Sequence, residues 1–226
     1  MWYPKNKQEL KKTLNSFINP NPKKDIHGII VPHAGYEFSG AIAGKAFSLL
    51  PKSEKAIVLT PSHYITFRGL ATLKTIETPL GKMKITPNPY EKLDYEHAID
   101  NQIPFLQLLE YKEVLPLVVG QITNKEAEKI AKELSKEKGI FVISTDLSHF
   151  LSYEQAVKND KQTIKVIESL DTNKSSQIDA CGAYPLLIAM HLCKLKGWKP
   201  KLIEYKNSGD IIGDKSQVVG YASFYF

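Results

Sequence analysis

The chain of 226 residues is 42% hydrophobic and 24% charged, with only two cysteines, a composition that excludes collagen-like, disordered and disulfide-scaffold proteins. Its length suits one domain over residues 1–226 and buries enough surface that the core needs no metal, so any metal serves function. The net charge of +6 suggests nucleic acid, but Arg68 is the only arginine, and the lysines alternate with acidic residues as on solvated helix faces, so no nucleic-acid partner is expected.

In chain order, residues 6 to 17 read as a short amphipathic helix that stops before Asn19-Pro20-Asn21-Pro22. Gly28 to Val31 is a buried strand ended by Pro32, Ser39 to Leu50 a helix, and Ala56 to Thr60 a second buried strand ended by Pro61. Leu70 to Glu77 and Lys82 to Thr86 alternate around the turn Thr78-Pro79-Leu80-Gly81, as a hairpin does. Asp94 to Tyr111 reads as mostly helical, with Pro104 bending it or starting a new segment. Val114 to Val119 is a third strand, and Thr123-x-x-Glu126 is a capping box that opens a helix to about Lys138. Ile140 to Ser144 is a fourth strand. Helices over Tyr153 to Leu170 and Gly182 to Lys196 follow, then strands at Leu202 to Tyr205 and Val218 to Phe226. This alternation predicts a three-layer α/β fold: a central mixed or mostly parallel sheet with helices on both faces.

Three buried strands each deliver a histidine soon after their last apolar residue: His33, His63 and His149. Ligands of open α/β sheets bind beyond the carboxyl ends of the strands. If these strands are neighbours, three imidazoles converge there as a metal site or acid–base cluster. Cys181, just before a helix, joins them as a candidate, with its thiolate expected to be favoured by the helix N-terminus. Asp146 supports the site or caps its loop. His97, beside Glu96 on a helix, reads as solvated or structural, as do His27 and His191. Cys193 reads as a packing residue too far from Cys181 for a disulfide. Gly35 and Gly40 do not form a phosphate-loop pattern. The polar start and the lack of a long apolar run point to a cytoplasmic protein with no membrane partner.

Pro32-His33-Ala34-Gly35-Tyr36, Pro61-Ser62-His63, Glu96-His97-Ala98-Ile99, Asp146-Leu147-Ser148-His149, Cys181-Gly182, Asn207-Ser208-Gly209-Asp210 and Val219-Gly220-Tyr221-Ala222 occur in the order seen in the Memo family, and the resemblance spans nearly the whole chain. It implies a fold like that of the class III extradiol dioxygenases. It also implies His33, His63 and Cys181 as metal ligands, His149 as acid–base group and Asp146 in support. Two histidines and a thiolate are not the two-histidine, one-carboxylate set of ring-opening oxygenases, so the expected cofactor is iron or copper, with zinc as the alternative. The expected activity is oxidative chemistry on an unknown small-molecule or modified-protein substrate. A radical-SAM enzyme and a companion protein are the partners the resemblance suggests. The alternatives are a non-catalytic binding or adaptor protein using the same pocket, and a zinc-dependent hydrolase.

Overall fold

The computed structural model describes residues 2–226. Helix α1 (Lys7–Phe17) starts where the Asn6 side chain accepts from the main-chain N–H groups of Gln8 and Glu9, and it buries Leu10 and Leu14. Next come β1 (Gly28–Val31), a wide turn over Tyr36–Gly40, α2 (Ala41–Phe47) and β2 (Lys55–Pro61). Then follow the short strands β3 (Leu70–Leu73), β4 (Glu77–Thr78), β5 (Gly81–Lys82), β6 (Lys84–Ile85) and β7 (Glu91–Leu93), and the helices α3 (His97–Asp100) and α4 (Ile103–Leu108). The second half contains β8 (Glu113–Val119), α5 (Asn124–Leu134), β9 (Ile140–Ser144), β10 (His149–Leu151) and α6 (Tyr153–Ser169). It ends with α7 (Ala183–Lys196), β11 (Lys201–Asn207), α8 (Ser208–Ile212) and β12 (Val218–Tyr225). Both halves of the Thr123–Glu126 capping box are made.

Strands β1, β9, β2 and β8 lie side by side and parallel. Antiparallel β12 borders β1, and antiparallel β3 borders β8, so the sheet is mixed with a parallel centre. The pleat sends alternate residues to opposite faces. Ile57 and Leu59 pack with residues of α5, α6 and α7, whereas Ala56 and Val58 pack with residues of α1, α2 and α4. These are the expected three layers.

Two local expectations change. The alternation over 70 to 86 does not make one long hairpin. β3 ends at Leu73 because it pairs with β8 and β7, and only β4 and β5 close around the turn. The stretch 94 to 111 is two short helices, with Pro104 in the first turn of α4, where its missing N–H costs no bond.

The topology also explains what happens beyond β9. Residues 145–148 step across the carboxyl end of β1 to reach β12, where Leu147 N donates to Gly220 O and Gly220 N to Ser148 O. Asp146 is thereby laid against the His33 main chain, and His149 is carried into β10, paired with Val219.

Candidate metal centre

His33 and His63 leave the ends of β1 and β2, with β9 between them. Their rings are 5.1 Å apart between centroids and close to perpendicular. Cys181 approaches from the residue before the α7 N-cap, Gly182. A side chain at Gly182 would run into the Thr145 side chain, whose Oγ1 also accepts from Gly182 N at 2.9 Å. Glycine is therefore what lets the cysteine reach the strand ends. Ligand atoms of His33, His63 and Cys181 all lie within 4.8 Å of one another, and Cys181 Sγ is 3.3 Å from His33 Nε2.

The hydrogen bonds fix where the imidazole protons sit. Ser144 Oγ donates to Ala98 O and accepts from Gln102 Nε2, so the His33 Nδ1 that lies 2.9 Å from it must be the donor. That leaves a lone pair on Nε2, facing the sulfur. At His63, Nδ1 lies 2.9 Å from Glu96 Oε1. Burial alone would raise the Glu96 carboxyl. Hydrogen bonds from the His63 and His97 rings and from the His63 and Ala98 main chain outweigh it and hold the group well below the usual carboxylate range. An ionised Glu96 takes the Nδ1 proton of His63, again leaving Nε2 with its lone pair. A carboxylate behind a ligating histidine is a recurrent means of fixing ring and tautomer.

Burial lowers the His33 pKa well below the ordinary histidine value, and the neighbouring His63 and His97 lower it further, so the ring is neutral. The sequence-based expectation for Cys181 is corrected. Burial, and then the Asp146 carboxylate, push its thiol up to about 12 despite hydrogen bonds from the N–H groups of Asp146 and Gly182 and from the Thr145 hydroxyl. The helix N-terminus does not deliver a free thiolate, and a cation is needed to displace the proton. Asp146 Oδ1 accepts from His33 N at 2.8 Å. Its carboxyl is raised by burial, a shift opposed by the N–H groups of His33 and Ala34.

The third imidazole at the centre is His97, not His149. The His97 ring is 4.3 Å from His63 and 5.5 Å from His33 between centroids, and it stacks on Trp2 at 4.3 Å. Its Nδ1 is 3.1 Å from Glu96 Oε1 and 3.0 Å from the Tyr64 hydroxyl. His63, Glu96 and His97 form a second close set of ligand atoms; among the described residues, neither set includes His149. His149 is half-buried on β10, near enough for its charge to act on Asp146 and His33. Glu96 and His97 were not recognised as site residues from the sequence. The available signal was a glutamate able to N-cap a helix directly before a histidine. His27 stacks on Trp198, His191 Nε2 meets Asn124 Oδ1, and Cys193 is buried in the core, all as expected of structural residues. Tyr36 is buried in the core beneath α2, with its hydroxyl on Asn101 O.

Two neutral imidazoles and a thiol within 4.8 Å match the spread of ligands around one transition metal, which at bond lengths of about 2.0–2.3 Å stand roughly 3.3–3.7 Å apart. The donor set fits a borderline or soft ion: zinc, copper or thiolate-bound iron.

The fold and site define an α/β protein with a histidine- and cysteine-lined centre at the carboxyl edge of its parallel strands. The sequence matches the family described as Memo-like protein over residues 1–225, and the chain belongs to the Memo family. It is 32% identical to a MEMO1 family protein of Archaeoglobus fulgidus and 33% identical to one of Aquifex aeolicus, each match covering all of this chain and 96% of the relative. A MEMO1 family protein of Methanobrevibacter smithii is 33% identical over the same shares. No helix among the described residues is long and apolar enough to cross a membrane.

Proposed function

We propose that the chain is a metal-dependent redox protein in which His33, His63 and Cys181 hold iron or copper and act on a small or modified substrate. The observation that supports this reading is the proton arrangement. Both histidines have Nδ1 committed to a fixed acceptor and Nε2 bare, with one Nε2 already 3.3 Å from the cysteine sulfur. A bound ion of this kind supplies one-electron chemistry and Lewis acidity. The protein's own part is positional. Ser144 and Glu96 keep the two Nδ1 protons, and Asp146 fixes the His33 main chain. In this reading His149 is the acid–base group that moves a proton at its ring nitrogen.

Elemental analysis of untagged protein purified without oxygen tests the proposal, alongside His33→Ala and Cys181→Ser. Near-stoichiometric iron or copper in the parent, lost in both folded variants, is the expected result. A parent that carries no metal and takes up none from Fe(II), Cu(I) or Zn(II) would refute it. Zinc alone, with ester or amide turnover, would replace it with a hydrolase.

A further inference from the structure

A cavity of about 190 Å³ opens between the loops that follow β2 and β8, with Cys181 in its wall. Ile65, Phe67 and Tyr184 supply apolar and aromatic surface, and Thr66 and Gln121 supply polar groups. In a chain that is 24% charged, none of the ten lining residues carries a charge. The nearby cation is committed elsewhere. Arg68 pairs through its main chain with Gln121, but its guanidinium donates to both oxygens of Glu126 at 3.0 and 3.1 Å. The α7 N-terminus beside the cavity offers few donors: Gly182 N is bonded to Thr145 Oγ1, and Pro185 has none. A charged ligand would therefore lose water here without a countercharge from the walls.

We infer that this cavity binds a small, planar, uncharged molecule carrying an amide-like edge, and presents it to the Cys181 side of the centre. Its size sets the upper limit. A cavity of about 150 Å³ accommodates benzene, so this one takes a six-membered ring with a substituent of a few atoms. The aromatic walls favour a flat face. The Gln121 amide and Thr66 hydroxyl have no side-chain hydrogen bond to protein among the described residues, which leaves a donor and an acceptor for a ligand edge that offers both. The role of Cys181 rests on the metal reading above; occupancy of the cavity does not.

The test compares benzamide, benzoate and benzylamine, similar in shape and differing in charge, by amide chemical shifts of the labelled protein, both as purified and after chelation. The expected result is that benzamide shifts the Thr66, Phe67, Gly120 and Gln121 signals with about tenfold higher affinity than either ion. In Gln121→Lys, an exposed position that tolerates the change, benzoate gains about fivefold and benzamide does not. Benzoate binding the parent as tightly as benzamide, or no probe shifting these signals, would overturn the inference. Metal content is measured on the same samples. Benzamide preference without metal uptake tells against the metal reading alone, and metal without that preference tells against this inference alone.

Discussion

Glu96 is the residue whose replacement tests the logic of the centre most directly. It is 1% exposed and accepts from four groups: His63 Nδ1, Ala98 N and His97 Nδ1 at Oε1, and His63 N at Oε2. Glu96→Gln keeps the shape but leaves one oxygen. With that oxygen in the Oε1 position, the amide N–H₂ faces the His63 main-chain N–H where a 2.9 Å bond had been, donor against donor. With the amide flipped, its N–H₂ faces His63 Nδ1. The ring can then accept only by moving its proton to Nε2, the nitrogen proposed to bind metal. One arrangement costs a buried hydrogen bond, about 1–3 kcal/mol, and the other costs the ligand lone pair. The expected outcome is a metal Kd weaker by about 10–100-fold, the usual cost of losing an outer partner of a metal-ligating histidine. Isothermal titration with Zn(II) or Co(II) measures it, with urea unfolding of the metal-free protein as the control for folding. Parent-like affinity in a folded Glu96→Gln protein, against a parent that binds, would show that Glu96 does not set the His63 tautomer.

Asp160 offers a stability test remote from the metal ligands. It is fully buried and accepts from Ser148 N at 2.9 Å and the Tyr205 hydroxyl at 2.8 Å; burial raises its pKa, and these two bonds oppose the rise. A carboxyl raised in the folded state holds its proton to higher pH than in the unfolded chain, so its contribution to stability is lost as pH rises from about 3.9 through the folded value. Asp160→Asn can keep both hydrogen bonds without the charge, so its advantage over the parent should grow from about pH 3.5 to about pH 7 in urea unfolding; an unchanging difference would refute this. Gly220→Ala directs a methyl group into the Asp160 carboxylate and is expected to cost about 1–3 kcal/mol, read as a lower urea midpoint with an unchanged slope. An unchanged midpoint would mean that α6 and β12 can separate at no cost.

The sequence by itself determined the layered α/β class, the parallel core strands and the points where they end. Apolar runs as at Gly28 to Val31 and Ile140 to Ser144 can only be buried on both faces, and Pro32 and Pro61 mark their exits. It also singled out His33, His63 and Cys181, because a strand's carboxyl end is where such a fold exposes its chemistry. The tertiary structure decided which groups meet. Glu96 and His63 are 33 residues apart, and no periodicity within either segment reports that the Glu96 carboxylate holds both the ring and the main chain of His63. His149 seemed equivalent to His33 and His63 in sequence, but the crossing of residues 145–148 to β12 took it to another strand and left the third place to His97. Cys181 shows the same division. Its position before a helix was legible in the sequence, whereas the burial and the neighbouring Asp146 that keep its proton on depend on chain segments brought together only by folding. Local patterns fix the face each residue presents within its own element. Sheet order and loop crossings fix its neighbours, and these set proton positions and charge.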